Sequence, residues 1–546
     1  MLCNRWLADL GCRTGANSRL QALHPELFTM HTRRQVLRAS AFALPFVLPG
    51  AARSQTELPL SPQERALHAL NRLGYGPRPG DIEAIDKLGA EAWLQQFLAQ
   101  QMAPSVLPES LVTRLQALST TQLSQSGLIG RFREATSAGL AARRDVGSIT
   151  EPQAADLMAK ARRELVRPVL LEAASQRLIR ALESPAQLEE VLVEFWFNHF
   201  NVFSGKGQVA VLVGDYERQA IRPHVLGRFR DMLGASAKHP AMLVYLDNVQ
   251  SVAAGYKPPA PMAQLNPNAA RLAGLNENYA RELMELHTLG VEGGYTQRDV
   301  TELARMLTGW TINYRAARLG RSGDLFEFDP SRHDHGSKFW LGREVPASGQ
   351  AEGERALDLL AAHPATAKHI GFKLAQAFVA DQPPPALVQR LAERFTATGG
   401  DLKAVTQALM SSDEFWRREA FGAKFKTPYQ YLVSTLRALD ATAIQEVQPL
   451  LQVLAQSGMP LYGAQTPDGY KNTASAWMNP EALAQRLQFA SKLAERRWQR
   501  NAPSDRAGLL TTMGGLWRAS TRQSVAGEPA NLQTALLLGS PDFMHH

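Results

Sequence analysis

The sequence predicts an all-α fold, a large multi-helix domain that carries one small β-hairpin. Apolar residues recur at helical spacing along almost the whole chain, whereas runs of alternating β-branched residues are scarce. No segment repeats at a period of roughly 30 to 45 residues, which argues against a regular solenoid. We therefore expect residues 55–546 to form a single large, mainly helical domain.

Residues 30–54, ahead of this domain, are predicted to be an export signal. Arg33 and Arg34 precede an apolar run of about ten residues, and Ala52-Arg53-Ser54 offers small residues to a signal peptidase. This order is typical of a twin-arginine signal, so the expected partner during export is the twin-arginine translocase. The expected location is the periplasm or the cell exterior. The apolar run is about half the length that crosses a bilayer, so we expect no membrane span in the mature chain.

The signal begins late in the sequence, which bears on where translation starts. Met30 lies just before the arginines, so residues 1–29 are interpreted as a mis-called N-terminal extension. The alternative is an unusually long charged leader. Both cysteines, Cys3 and Cys12, lie upstream of the signal. The mature chain is therefore expected to lack disulfides, cysteine-ligated clusters and a cysteine nucleophile.

The charge of the mature chain is expected to be modest. Seven basic and two acidic residues lie within residues 1–54, so their removal lowers the formal net charge from +8 to +3. A mixed surface with so small an excess carries no electrostatic footprint of nucleic-acid binding. We therefore expect no nucleic-acid partner.

Helix signals follow one another along the N-terminal half of the domain. Ser61-Pro62 begins a helix that ends at Leu73, and residues 81–88 and 90–100 predict the next two. Residues 107–147 are polar and weakly patterned, which fits either a mobile insertion or a set of solvated helices. Strong helical periodicity returns over residues 154–203.

Two stretches depart from the helical pattern. Residues 208–213, a glutamine followed by five apolar residues, predict a short strand. Residues 326–345 alternate around a polar turn and predict the hairpin. A Pro- and Asn-rich loop spans residues 253–273, and helices resume at Gly353 and continue to the end.

The first candidate site lies on a predicted helix over residues 276–290. Glu277, Arg281 and Glu285 recur at four-residue steps, a ladder that stabilises a helix by a few tenths of a kcal/mol per pair. That structural interpretation competes with a catalytic one. Glu282 lies nearer the apolar side, and a buried carboxylate needs a partner. In the catalytic interpretation Glu282 is a general acid or base whose pKa is tuned by Arg281 or Arg305. Asn276 and Glu277 then contact substrate.

A partner helix follows this segment after a short Gly-Gly turn. Thr296 and Asp299 form a predicted capping box at its start, and Trp310 lies on its apolar face. The short turn makes the two helices antiparallel neighbours. Arg305 is then expected to reach Glu282 or Glu285, as a catalytic or a structural partner, with Trp310 near the substrate.

The second candidate is the segment over residues 194–201. Four aromatic residues in six positions indicate that this helix is buried, so its polar side chains need hydrogen-bond partners. His199 is either a satisfied core histidine or a ligand or general base. In the functional interpretation the substrate-binding residues are Glu194, Trp196, Asn198 and His199.

The third candidate is the turn that contains His333-Asp334-His335. His333 and His335 flank an aspartate and can bind a divalent transition metal, although two ligands are too few for a site. In the other functional interpretation Asp334 orients His333 as a catalytic pair, and Lys338 contacts an anion. The sequence contains no Walker A loop, His-Glu-x-x-His motif, Gly-x-Ser-x-Gly motif or Rossmann fingerprint.

Several motifs in order resemble the domain-of-unknown-function 1800 family, from about residue 60 to the C-terminus. The motifs are His68-x-x-Asn71-Arg72-x-Gly74-Tyr75-Gly76-Pro77, Arg222-Pro223-His224, Lys238-His239-Pro240, Asn276-Glu277-Asn278-Tyr279-Ala280-Arg281-Glu282-Leu283, Thr308-Gly309-Trp310, His333-Asp334 and Lys424-Phe425-Lys426-Thr427-Pro428. The resemblance implies a mainly helical, usually exported bacterial protein. It also implies a gene neighbour from the domain-of-unknown-function 1501 family, whose members resemble phosphatases or sulfatases, as a partner. It implies no reaction. The family pattern needs only His333-Asp334, which makes His335 the weaker metal candidate.

Two functional hypotheses emerge from these patterns. The first is an exported hydrolase or group transferase that acts on an envelope or extracellular substrate. The second is a non-enzymatic binding or assembly partner of the phosphatase-like or sulfatase-like neighbour. Convergence of Glu282, Arg305, His199 and His333 on one water-accessible cleft favours the enzyme, and scattered or sealed positions favour the binding protein.

Overall fold

The computed structural model describes residues 58–146, 151–257, 274–441, 446–494 and 506–546. The chain divides into a unit Met1–Pro59 and a compact unit Leu60–His546. The predicted signal peptide lies outside the described residues, as does most of the predicted loop at 253–273. Every helix and strand of the described residues belongs to the second unit.

The N-terminal elements are helical, as the sequence predicts. Ser61 and Glu64 form a capping box at the start of the first helix, where Pro62 occupies a position that needs no amide proton. Gly80 and Gly89 adopt positive φ angles before the second and third helices. The helices are α1 (Pro62–Arg72), α2 (Asp81–Leu88), α3 (Ala90–Gln101), α4 (Glu109–Gln116) and α5 (Gln125–Val146).

The weakly patterned segment 107–147 forms helices in this structure. Leu111 and Leu115 of α4 pack on Ile179 in a small cluster of their own. Leu128 and Ile129 of α5 join the main core. The polar composition therefore reflects helices that bury only a narrow apolar stripe.

The central helices surround the main core. They are α6 (Glu151–Ala161), α7 (Arg167–Glu183), α8 (Gln187–His199), α9 (Val209–Tyr216), α10 (Phe229–Lys238), α11 (Pro240–Tyr245), α12 (Asn278–Glu285) and α13 (Gln297–Met306). A π-helical turn, Arg162–Val166, joins α6 to α7, and another, Glu217–Ile221, extends α9. The capping box predicted at Thr296 and Asp299 is confirmed at the start of α13.

The strand predicted at residues 208–213 is wrong, because this segment begins α9. Every residue of α9 is buried, so its apolar run has no polar face that could reveal a helical period. Gly214 lets α9 approach α7 closely, since a β-carbon there would lie 2.6 Å from that of Ala173. The absence of a side chain at this position serves helix packing.

Two small antiparallel sheets replace the single predicted hairpin. The strands are β1 (Trp310–Ile312), β2 (Phe326–Phe328), β3 (Lys338–Trp340) and β4 (Arg343–Val345), and helix α14 (Tyr314–Arg318) lies between β1 and β2. β2 pairs with β1, placing Trp310 opposite Phe328, whereas β3 and β4 form a tight hairpin through Leu341 and Gly342 at positive φ. The predicted pairing across residues 326–345 is therefore wrong, because the His333 turn connects two sheets.

The C-terminal part returns to helices. Side chains of His363, Asp401 and Thr427 cap three of them. The helices are α15 (Gln350–Ala362), α16 (Pro364–Phe378), α17 (Pro385–Ala397), α18 (Leu402–Met410), α19 (Asp413–Trp416), α20 (Pro428–Ala438), α21 (Gln448–Gln456), α22 (Ala474–Trp477), α23 (Pro480–Ala494), α24 (Arg506–Met513), α25 (Ala519–Ala526), α26 (Ala530–Leu538) and α27 (Pro541–Met544).

One large hydrophobic core runs through the unit from α1 to α27. The all-α prediction with a small β insertion is confirmed. Within the described residues, no helix has the length and apolar character that a membrane crossing requires.

Candidate functional site

A cavity of about 920 Å³ opens beside helix α8. Glu194, Phe195, Asn198 and His199 line it together, because positions one, four and five residues apart share one side of a helix. Helix α16, the start of α20, the segment that follows α12 and the loop over residues 459–473 supply much of the remaining wall. The volume lies in the range of pockets that hold small organic ligands.

Glu194 is a buried carboxyl on the cavity wall. The Tyr75 hydroxyl donates a hydrogen bond to its Oε2 at 2.9 Å. Burial raises the pKa of Glu194 to about 7, against the opposing effects of the Arg177 charge and of hydrogen bonds from Tyr75 and Thr427. This side chain therefore exchanges a proton near neutral pH.

Asn198 fixes the loop that forms the opposite wall. Its Nδ2 donates to the Tyr470 carbonyl at 2.8 Å, and its Oδ1 accepts from the Tyr470 amide at 2.7 Å. Gly469 is required beside it, because φ is +66° and a β-carbon there would lie 2.4 Å from the Asn198 carbonyl oxygen. Since both ends of the amide are used, Asn198 positions the wall.

His199 is a neutral histidine at the cavity. Its Nε2 lies 3.0 Å from the His287 carbonyl, which a neutral ring meets by donating from Nε2 and leaving a lone pair on Nδ1. Burial, followed by the nearby Lys373, His369 and His287, holds the pKa of His199 well below its ordinary value. The His369 ring centroid lies 6.0 Å away.

Trp196, by contrast, does not line the cavity. It is 1 % exposed and packs edge-on against the His199 ring at 5.4 Å. It also contacts Phe200 and Phe229. Trp196 is a core residue in this structure and supports the orientation of His199.

The α12 part of the first candidate segment contributes no residue to the cavity wall, whereas Leu286, Leu289 and Gly290 at the end of the segment line it. Arg281 pairs with Glu277 at 3.6 Å and donates to Gln297, while Glu277 also accepts from Gln297 and Thr301. Asn276 anchors the segment through the Asp247 carbonyl. These contacts join α12 to α13 and favour the structural interpretation of the ladder.

Glu282 lies on the same helix, α12, and is half-buried. Burial and the neighbouring Glu285 and Asp468 raise its pKa, and Asp468 itself lines the cavity. The expected contact from Arg305 to Glu282 or Glu285 is wrong. Arg305 instead binds both Asp334 oxygens, at 2.9 and 3.0 Å, and reaches Glu302 at 2.7 Å, because it lies on the face of α13 toward β3.

The third candidate belongs to a sealed ionic cluster, which we define as Arg305, His333, Asp334, Lys338 and Glu352. The side chains of His333, Lys338 and Glu352 are fully buried. Lys338 Nζ lies 2.6 Å from Glu352 Oε2, and His333 Nε2 lies 3.3 Å from Glu352 Oε1. Burial alone would raise the pKa of Glu352, but Lys338 and backbone amides lower it. Trp310 is buried beside this cluster and packs on Phe326.

The histidines of this turn are occupied by protein partners. His333 Nδ1 lies 2.8 Å from the Thr308 carbonyl, and His335 Nε2 lies 2.9 Å from the Pro330 carbonyl. Across the described parts of the chain, no group of three or more His, Cys, Asp or Glu side chains is arranged to hold a metal ion. The described residues therefore give His333 and His335 no third ligand.

Sequence reasoning missed the cavity residues of α16. His369 and Lys373 lie four positions apart and line the cavity beside His199. Two basic side chains at helical spacing were a signal, but an exposed helix face carries the same pattern. Arg72 and Arg177 were also missed, since only the fold brings them to the wall.

The fold and the cavity define a large helical protein with a ligand-sized pocket whose mostly apolar wall carries several charged and polar side chains. Residues 68–545 match the family model described as a protein of unknown function, DUF1800. The chain belongs to this family, which confirms the resemblance seen in the motifs. No curated protein matches the chain. No solved structure matches it either.

Proposed function

We propose that this chain is an exported enzyme that binds a small organic substrate in the α8 cavity and uses Glu194 as its acid–base group. The observation that carries the proposal is the position of Glu194 on the cavity wall, with a pKa raised to about 7 by burial. A carboxyl of that pKa is populated in both protonation states at neutral pH, so it both donates and accepts protons. The reaction class is hydrolysis or group transfer.

The surrounding groups support this role. Tyr75 and Thr427 hold the Glu194 carboxyl in one orientation, and His199 offers an unprotonated ring nitrogen from the same side of α8. Asn198 keeps the facing loop in place. Glu194 is thus assigned as the proton donor to a leaving group, and His199 as a hydrogen-bond acceptor for substrate.

The test is turnover of a defined chromogenic panel, the p-nitrophenyl esters of acetic, phosphoric and sulfuric acid and p-nitrophenyl glycosides. The expected result is hydrolysis of at least one compound that falls about 100-fold in Glu194→Gln, since general acid–base groups contribute roughly that much or more. The matched control is Glu83→Gln, an exposed glutamate on α2. Equal rates in both variants would contradict the role of Glu194.

A second candidate function has one observation in its favour. Of the four side chains that the enzyme hypothesis groups together, only His199 lines the cavity, while His333 is sealed in the core. That scatter favours a binding or assembly protein. The test is co-expression with a neighbouring domain-of-unknown-function 1501 protein, with a stable 1:1 complex in size-exclusion chromatography as the expected result.

The export route is part of the proposal and rests on Arg33 and Arg34. Replacing both by lysine keeps the charge and removes the twin-arginine pair. The expected outcome is retention of the precursor in the cytoplasm, measured by cell fractionation and immunoblotting. Unchanged appearance in the periplasm would contradict twin-arginine export.

A further inference from the structure

The charges of the cavity wall are unevenly paired. Arg177 and Lys471 line the wall with carboxylates beside them, Glu217 at 3.3 Å and Asp468 at 2.6 Å. Lys368 is exposed at the rim, where water serves a lysine well. The remaining cations that line the cavity are Arg72 and Lys373.

Arg72 is a buried guanidinium with unused donors. It is 2 % exposed, and its Nη2 donates to the Ala420 carbonyl at 2.8 Å. Its Nε and Nη1 have no acceptor in the structure. Burial lowers the pKa of Arg72 only to about 9, so the group stays charged at neutral pH.

The carboxylate that acts most on Arg72 is already engaged. Asp381 accepts hydrogen bonds from Lys424 Nζ and from the Ala474 amide, the latter at 2.7 Å. Asp381 therefore pairs directly with Lys424 and acts on Arg72 only from a distance, and Arg72 forms no salt bridge among the described residues. A buried charge without a partner is costly, so an anionic ligand is the natural complement.

Lys373, on another part of the cavity wall, is a second cation without a carboxylate partner in the described part of the chain. It lies half-buried on α16 near His199 and His369, two histidines that are neutral. Among the described residues it forms no salt bridge, and the Asp468 carboxylate near it pairs with Lys471. Its ammonium group therefore has donors available to a ligand.

We propose that the substrate of this cavity is an organic anion, with Arg72 and Lys373 binding its oxyanion groups. The inference rests on the proposed function of the cavity and names its substrate class. A guanidinium and an ammonium group both pair with the oxygens of a carboxylate, sulfonate or phosphate. Aromatic side chains of the wall, among them Phe195, Phe378 and Tyr470, receive the apolar body of the molecule.

Binding is tested by ¹⁹F NMR titration of the purified full chain. The probes are 4-fluorobenzoate, 4-fluorobenzenesulfonate and the uncharged 4-fluorobenzamide, which share one ring and differ in charge and in oxyanion type. We expect at least one of the two anions to bind about tenfold more tightly than the amide. The ratio of the two anions distinguishes a carboxylate substrate from a tetrahedral one.

The variants locate the site. Lys373→Gln and Arg72→Met are each expected to weaken anion binding about tenfold and to leave amide binding within about twofold. Lys87→Gln is the matched control, an exposed lysine of α2 that does not line the cavity, and is expected to change anion binding less than twofold. If Arg72→Met does not fold, Arg72→Lys replaces it in the binding experiment. This variant keeps the positive charge and removes the guanidinium donors.

The outcomes separate this inference from the proposed function. Equal affinity for anion and amide, no binding of either anion, or anion affinity that Lys373→Gln leaves unchanged would overturn the inference. Anion binding that survives in Glu194→Gln, together with turnover that the same variant does not alter, leaves the inference standing and removes the acid–base proposal.

Discussion

The cavity wall and the sealed ionic cluster both carry charged side chains on largely apolar segments. They differ in how completely those charged side chains are paired with protein partners. In the cluster, Glu352 pairs with Lys338 at 2.6 Å and lies 3.3 Å from His333, away from water. On the wall, Arg72 keeps two unused donors and Glu194 has a pKa near 7. This difference indicates that incomplete pairing beside a cavity, and not burial of charge alone, distinguishes the candidate site.

Substitution of Lys338 in the sealed ionic cluster is expected to have the largest effect on the free energy of unfolding. Lys338→Met leaves the buried Glu352 carboxylate without its 2.6 Å partner, so we expect a loss of about 3–5 kcal/mol in the free energy of unfolding. Urea denaturation at pH 7 measures this loss. Ligand binding and turnover of the folded fraction should be unchanged.

The double variant Lys338→Met/Glu352→Gln serves as the control. It removes both charges and keeps an acceptor for the Ser348 and Gly349 amides, so part of the lost stability should return. A single variant that stays fully stable but loses turnover would show instead that the sealed cluster acts in the reaction.

Glu194→Gln is expected to move stability in the opposite direction at alkaline pH. The pKa of Glu194 is about 7 in the folded chain, above the ordinary value of 4.5. Its contribution to stability is therefore present below pH 4.5 and is lost as the pH rises through 7. At pH 8 the neutral glutamine should make unfolding harder by about 3 kcal/mol, with little difference at pH 4.

Urea denaturation of both chains between pH 4 and 8 checks this prediction. The exposed-site variant Glu83→Gln should shift stability by less than about 0.5 kcal/mol at every pH. If Glu194→Gln and the parent chain keep a constant difference across this range, then Glu194 does not titrate near 7 and its acid–base role fails.

Local patterns in the sequence predict many of the helix boundaries. They do not predict contacts between residues that lie far apart in the chain. Ser61 and Thr296 predict their helix starts because a capping box involves residues only three positions apart. Arg305 was assigned to the wrong carboxylate because its partner, Asp334, comes from a turn whose position depends on the β3–β4 hairpin. The strand predicted within α9 failed since full burial hides helical periodicity.

The same distinction explains the partial success at the site. Glu194, Asn198 and His199 were identifiable because polar residues inside an aromatic helix are unusual. Lys373 was not, because a lysine on a helix that also has an exposed face is ordinary. Its lower exposure within the cavity distinguishes it from Lys368, which lies five positions earlier on the same helix and is exposed at the rim.

Substitution of Arg281, a partly exposed residue of α12, is expected to have the smallest effect on the free energy of unfolding. Arg281 pairs with Glu277 at 3.6 Å, with both side chains more than 30 % exposed, so water screens the interaction. Arg281→Ala should lower the free energy of unfolding by less than about 1 kcal/mol and leave turnover within twofold. Thermal unfolding and the chromogenic assay measure the two quantities. If turnover falls while stability does not, α12 belongs to the active site. A purely structural ion-pair ladder could lower turnover only by destabilising the fold.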